Sequence, residues 1–151
     1  ISEPPLGLTA LLTYANRELG TKINGKIIKS FVDYDSFDEL ICIISEFQPD
    51  LIGIRTLSFF KHFFADTVKA IKGYNDNVPI IAGGPHPTVD CENVFLENDI
   101  QAVVIGEGEL SITEILSEMI HNNLRGGAFL SNEQLYRIKG IAYKDQSNDC
   151  E

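Results

Sequence analysis

The sequence predicts an α/β fold, in which a doubly wound and mainly parallel sheet lies between two layers of helices. Two observations support this prediction. Segments whose apolar residues recur at helical spacing alternate along the chain with short apolar segments. Three of the short segments lack the polar alternation of a half-exposed strand, so we expect helices on both faces of the sheet. A chain of 151 residues is long enough for one domain with its own core.

Five segments have the apolar spacing of amphipathic helices. Glycine favours helix termination, and Gly20 and Gly73 end the first and third of them. Ser36, with Glu39 three residues later, resembles a capping box at the start of the second. The helices are predicted from Leu8, Leu12, Ala15 and Leu19; from Leu40, Ile43, Ile44 and Phe47; from Phe60, Phe64, Val68 and Ile71; from residues 89–96; and from Ile112, Ile115, Leu116, Met119 and Ile120.

Five segments are predicted as strands, and they alternate with the helices. After Asn122 the pattern weakens through a glycine-containing loop, so the last strand is expected to be short and at an edge. The predicted strands are residues 23–32, 51–54, 78–82, 102–105 and 140–143.

The first helix lacks the strand that should precede it in a parallel, doubly wound sheet. In the strand order 2-1-3-4-5 that strand is central, and only Ile1 and Ser2 remain of it. We therefore expect an apolar slot, filled by the C-terminal segment, by a neighbouring chain or by residues outside this sequence. A chain that starts without methionine also suggests a piece of a longer protein. Residues 1–145 are predicted as one domain, and residues 146–151 as a polar tail or the start of a linker.

The composition argues against several classes of partner. A formal net charge of -10 repels phosphate backbones and anionic lipid surfaces, so neither nucleic acid nor a membrane is expected as a partner. Three widely spaced cysteines indicate neither a disulfide framework nor a metal site. A reducing, cytoplasmic environment is therefore expected.

Glycines follow two neighbouring predicted strands. Gly83 and Gly84 come directly after one of them, and His86 follows between two prolines. Gly106 and Glu107 come directly after the next. Because the carboxyl ends of parallel strands meet at one edge of a sheet, these residues predict a ligand site there.

Each of these residues also has a purely structural interpretation. The glycine pair can form a tight turn, His86 can cap that turn, and Glu107 can stabilise the start of a helix. Arg55, directly after a buried strand, needs either an internal ion pair or the solvent of a cleft.

Several motifs together resemble the N-terminal cobalamin-binding domain of cobalamin-dependent radical S-adenosylmethionine enzymes. The resemblance covers nearly the whole chain and implies a flavodoxin-like domain that holds a corrinoid across the carboxyl ends of its strands. It also implies a partner, a catalytic barrel that carries an iron–sulfur cluster and S-adenosylmethionine. The three-cysteine signature of that barrel is absent from this sequence, so the chain is not expected to be catalytic alone. The motifs are residues 4–8, 48–54, 83–88, 106–109 and 140–143.

Departures from the better-known corrinoid pattern are informative. Domains similar to that of methionine synthase carry DxHxxG after the first strand, and the histidine binds cobalt from below. Here Gly7 matches the glycine, so Pro4 stands at the histidine position. Arg55 replaces the serine of a Ser-x-Leu motif whose Leu57 is retained. The resemblance therefore implies cobalamin that is base-off and without a histidine ligand.

The predicted function is a cobalamin-binding module that supports methyl transfer through cobalt. The alternative is a module of the same architecture without a corrinoid, which serves as a docking face or senses another small molecule. No residue is predicted to be catalytic or to ligate the metal. The predicted cofactor-binding residues are Pro4, Gly7, Arg55, Leu57, Gly83, Gly84, His86, Gly106 and Glu107.

Overall fold

The computed structural model describes residues 5–145. Short 3-10 helices follow the first α-helix, at Gly20–Lys22, and precede the third, at Ser58–Phe60. In chain order the elements are α1 (Leu6–Leu19), α2 (Phe37–Phe47), β1 (Ile52–Arg55), α3 (Lys61–Tyr74), β2 (Ile80–Gly83), α4 (Pro85–Val89), α5 (Cys91–Glu97), β3 (Ala102–Val104), α6 (Glu109–His121), α7 (Asn132–Leu135) and β4 (Ile141–Tyr143).

The strands form one sheet in the order β1-β2-β3-β4. The first three are parallel, with Gly53 opposite Ile81 and Ala82 opposite Val103. β4 is antiparallel to β3 and lies at the edge, which confirms the short edge strand that the sequence predicts.

Each face of the sheet has its own apolar core, because successive side chains of a strand point to opposite faces. Ile80 and Ala82 of β2 pack with α2, α3 and α5, whereas Ile81 packs with α6 and the α7 region. The α/β fold with three layers is therefore confirmed.

The predicted strand at residues 23–32 is wrong. Residues 23–29 form neither helix nor strand, and the segment has only an isolated bridge between Ser30 and Tyr34. The physical reason is that the sheet within residues 5–145 ends at β1, so none of its strands forms a ladder with this segment. The segment and β1 line the same cavity without a hydrogen-bonded ladder between them. Ile1 and Ser2, and the predicted tail at 146–151, lie outside the described residues.

The helix predicted at residues 89–96 is confirmed as α5, and two further short helices were not predicted. Pro85, His86 and Pro87 belong to the first of these, α4. Proline fits the first turn, where its missing N–H has no intrahelical acceptor. The structure also contains α7, where the sequence predicts a loop; Ser131 and Gln134 form a capping box at its start.

The predicted capping box of α2 is only half formed. The Ser36 hydroxyl accepts a hydrogen bond from the Glu39 N–H at 3.2 Å, but the Glu39 carboxylate accepts from the Asp35 N–H instead. None of the helices within residues 5–145 is long and apolar enough to cross a membrane.

Candidate functional site

Four segments meet at the edge of the sheet where the parallel strands end, which we call the carboxyl edge. They are the loops after β1, β2 and β3 and the start of α1. In open α/β sheets, this is the edge at which ligands bind.

Gly84 connects β2 to α4 with φ 101° and ψ -177°, a region that is open essentially to glycine alone. A Cβ atom here would lie 2.8 Å from the Thr56 carbonyl oxygen and 3.0 Å from Arg55 Cγ. The Thr56 N–H in turn donates to the Gly83 carbonyl at 3.0 Å. Gly84 is therefore needed for the close packing of two loops, as in the tight-turn interpretation. A Cβ on Gly83 would face Val104.

Thr88 joins two loops of the carboxyl edge, a role that the sequence analysis missed. Its hydroxyl donates to the Gly84 carbonyl at 2.8 Å and accepts from the Gly106 N–H at 3.3 Å. A threonine in a helix commonly bonds to the carbonyl four residues earlier, and this was the available signal. The bond to Gly106 could not be inferred, because it depends on the position of the next loop.

Gly106 and Glu107 face open space. Gly106 has φ 71°, and a Cβ atom on it would have no heavy-atom neighbour within 4 Å. Glu107 is exposed, whereas Gly108 packs against Val104 and Leu11. Only the first glycine of this loop therefore leaves room for a ligand.

Gly7 and Arg55 lie beside each other at the start of α1. A Cβ on Gly7 would be 3.6 Å from Arg55 Nε. Arg55 is exposed, and no carboxylate within residues 5–145 forms an ion pair with it. Among the described residues, Arg55 thus has the exposed surroundings expected of a cleft residue and no ion pair.

The first turn of α1 offers N–H groups next to this guanidinium. Between described residues, the first N–H of α1 that bonds back to the chain is that of Thr9, at the Pro5 carbonyl. The N–H groups of a helix's first turn have no acceptor within the helix. A helix N-terminus and a guanidinium both carry positive charge, so they attract an anion and do not stabilise each other.

His86 is 8% exposed and belongs to α4. It does not line the large cavity described next. Within the described part of the chain, no cluster of three or more histidine, cysteine, aspartate or glutamate side chains is placed to hold a metal ion.

A cavity of about 990 Å³ extends from the carboxyl edge along β1. Gly7, Arg55 and Leu57 line it, but the other described residues of the predicted site do not. Pro4 lies outside the described residues. Apolar side chains are exposed on the segments of the carboxyl edge: Leu6, Leu57, Phe59, Phe60, Val89 and Leu110.

These features define a class of protein, an α/β domain with a ligand site at the ends of its parallel strands. A family model described as the B12 binding domain matches residues 2–116. The chain belongs to this B12-binding domain family, which confirms the resemblance to a cobalamin-binding domain.

Individual proteins are similar over most of the chain. An uncharacterized methyltransferase of Pyrococcus horikoshii is 32% identical over 143 residues, which are 94% of this chain and 28% of the relative. The chain thus spans less than a third of that relative's length. The N-terminal domain of a hypothetical protein from Thermotoga maritima is 28% identical over 73% of this chain and 81% of that one, with a TM-score of 0.53.

Two solved structures share the fold at lower identity. The cobalamin-dependent S-adenosylmethionine radical enzyme OxsB, with aqua-cobalamin and S-adenosylmethionine bound, has a TM-score of 0.80 and 18% identity. The match covers 100% of this chain and 20% of OxsB. The radical S-adenosylmethionine methyltransferase TsrM from Kitasatospora setae has a TM-score of 0.75 and 19% identity, over 97% of this chain and 27% of TsrM.

Proposed function

We propose that this chain binds cobalamin at its carboxyl edge, as the cofactor-binding module of a radical S-adenosylmethionine methyltransferase. The observation that carries the proposal is the B12 binding domain match over residues 2–116, which includes all three loops of that edge. The shared fold with OxsB and TsrM supports the enzyme class.

The residues of the carboxyl edge fit a large, amide-rich cofactor. Gly7 and Gly106 present backbone without side chains, and a Cβ on Gly106 would meet only open space. Arg55 and the first N–H groups of α1 provide positive charge for the phosphate of the cofactor, and Glu107 can accept hydrogen bonds from its amides. When bound, cobalamin supplies a cobalt atom that carries the methyl group.

We further propose that the cofactor is held base-off and without a protein histidine. Pro4 stands at the position where related domains carry that ligand. His86 is buried in α4 and does not line the cavity. On this proposal the residues of this chain bind and orient the cofactor, and the iron–sulfur cluster and S-adenosylmethionine belong to a partner barrel.

The exposed apolar side chains favour the second candidate, a docking face without a corrinoid. Phe59 is 96% exposed and Val89 is 86% exposed. Exposed aromatic and aliphatic groups of this kind suit a protein contact. A measurement of cobalamin binding distinguishes the two candidate functions, because only the first requires it.

The test is to mix the purified chain with hydroxocobalamin, remove free cofactor by gel filtration and record the visible spectrum. We expect the cofactor to co-elute with a shifted spectrum. Elution of a colourless chain contradicts cobalamin binding and favours the docking function.

A pair of glycine variants locates the site. Gly7 and Gly73 both lie within helices, so leucine is compatible with the backbone at each position. Gly7→Leu places a side chain beside Arg55, and we expect the Kd for hydroxocobalamin to rise at least about tenfold. Gly73→Leu adds the same bulk away from the carboxyl edge and should leave the Kd unchanged. Equal Kd values for both variants would place the cofactor elsewhere.

A further inference from the structure

Asparagine followed directly by glycine occurs once in this sequence, at Asn24 and Gly25. In such a pair the backbone nitrogen of the glycine can attack the side-chain amide carbon of the asparagine. The reaction is intramolecular, and the glycine has no Cβ to obstruct it. Asparagine is accordingly among the thermolabile residues of proteins. Whether a given pair reacts depends on how the fold holds it.

The structure leaves this pair unconstrained. Asn24 and Gly25 are both exposed, and they lie in residues 23–29, which form neither helix nor strand. Within residues 5–145, neither the Asn24 side-chain amide nor the Gly25 N–H takes part in a hydrogen bond. The attacking nitrogen and the amide carbon can therefore approach each other without the loss of a hydrogen bond.

Other exposed asparagines are held by hydrogen bonds of their side chains. The Asn93 Nδ2 group donates to the Asp90 carboxylate at 2.7 Å, and the Asn122 Nδ2 group donates to the Glu118 carbonyl at 2.8 Å. Neither is followed by glycine. The combination of a glycine neighbour and a free side-chain amide thus distinguishes Asn24 from both.

Gly25 is held close to a side chain of α1. A Cβ on Gly25 would overlap Leu12 Cδ1 and lie 3.2 Å from Leu12 Cδ2. Leu12 would have to shift before alanine could fit at this position. The absence of a side chain therefore both lets α1 pack here and exposes Asn24 to attack by the next nitrogen.

We propose that Asn24 is a site of spontaneous deamidation in the folded chain. The Gly25 nitrogen forms a bond to Asn24 Cγ, the Cγ–Nδ2 bond breaks, and the Gly25 amide proton leaves with Nδ2 as ammonia. Water then opens the resulting succinimide. Addition of water at Cγ gives aspartate, whereas addition at the backbone carbonyl carbon gives isoaspartate, in which the main chain runs through Cγ. Neither step consumes an oxidant or a reductant.

Deamidation would change the wall of the large cavity, which Asn24 and Gly25 line. The charged side chains of this wall are Lys26, Lys29 and Arg55, and no described acidic residue lines it. Either product places a carboxylate among these cations. Isoaspartate also lengthens the main chain beside α1. The inference does not depend on what occupies the cavity.

The test follows single asparagines by peptide mass after incubation of the purified chain at mildly alkaline pH, folded or in urea. Cleavage after glutamate releases peptides 19–39 and 93–97, whose only asparagines are Asn24 and Asn93. Exchange of NH₂ for OH raises the mass of a peptide, and electron-transfer fragmentation distinguishes aspartate from isoaspartate.

We expect Asn24 of the folded chain to convert at a rate within about threefold of its rate in urea, because a segment without hydrogen bonds opens at little cost. Asn93 should stay unconverted in the folded chain over the same time.

Two variants check the chemistry. Asn24→Gln keeps the amide but requires a larger ring, and Gly25→Ala puts a methyl group beside the attacking nitrogen. Each should slow the conversion at least about tenfold. Asn24→Gln leaves the contact between Gly25 and Leu12 untouched, so it stays informative if Gly25→Ala disturbs folding.

Three results would overturn the proposal. The first is an Asn24 that converts in urea but not in the folded chain, because the fold would then keep the pair apart. The second is conversion of Asn93 as fast as that of Asn24 in the folded chain, which would report general unfolding. The third is undiminished conversion of Asn24→Gln, which is incompatible with ring closure at this side chain.

Discussion

β1 and β2 have similar apolar sequences but very different surroundings. Ile80, Ile81 and Ala82 of β2 are 0–3% exposed, because strands flank β2 on both sides and helices cover both faces. In β1, Ile52 and Ile54 are only half-buried and Gly53 is exposed. The burial of a strand is thus set by its neighbours on both edges, and its own composition does not reveal whether they are present.

The largest expected effect comes from truncating matched isoleucines of the two strands. Ile80→Ala removes a fully buried side chain, and we expect it to lower the free energy of unfolding by about 2–5 kcal/mol. Ile54→Ala removes a half-buried side chain beside the cavity and should cost about 1 kcal/mol. Urea-induced unfolding measures both. Equal losses would mean that the two strands are equally well packed in solution.

The next effect concerns the junction between β1 and β2. Gly84→Ala must hold a positive φ and bring a methyl group against the Thr56 carbonyl, so we expect a loss of about 1–3 kcal/mol. Gly73→Ala lies in helix α3 with no atom near its Cβ position and should instead gain roughly 0.5–1 kcal/mol. Thermal unfolding of the two variants gives the comparison, and a neutral Gly84→Ala would show that the loops are not in close contact.

A smaller effect on stability is expected at Thr88, which links the loops after β2 and β3. Thr88→Val keeps the shape of the side chain but removes both hydrogen bonds, and should cost about 1 kcal/mol. Thr88→Ser retains the hydroxyl and serves as the control. Because Gly106 loses its link to α4, we also expect weaker hydroxocobalamin binding for the valine variant than for the serine variant. Identical affinities would show that the link does not position the Gly106 loop.

The smallest effect is a pH dependence of stability at Tyr34, which lines the cavity beside β1. Burial raises the pKa of Tyr34 above 10.0, partly offset by its hydrogen bond with Ser30. A raised pKa means that the folded state holds the proton more tightly. Its stabilising contribution is therefore present below the unfolded-state pKa and is lost as pH rises through the folded one.

The measurement is the difference in stability between the unsubstituted chain and Tyr34→Phe as pH is raised to about 11. This difference should shrink with rising pH. A difference that stays constant would mean that Tyr34 titrates alike in the folded and unfolded states.

The sequence predicted the elements that depend on local pattern. The apolar spacing of α2 and the buried runs of β2 and β3 are readable because their neighbours lie within the chain. Residues 23–32 have a strand pattern as well, but pairing requires a partner that no local pattern supplies. At the site, the convergence of the glycine loops followed from topology, whereas Thr88 acts through two loops distant in sequence and could not be found in this way.

The direction of β4 bears on how a further module would reach the glycine loops. Tyr143 pairs with Ala102, the first residue of β3, so the chain leaves β4 on the side of the sheet away from the glycine loops. Any segment that continues toward those loops must first run back along the length of the three-residue strand β3, about 10 Å. On the proposed function, a linker to a partner module would run along the outside of the domain, and its length would control how closely that module could cover a bound corrinoid.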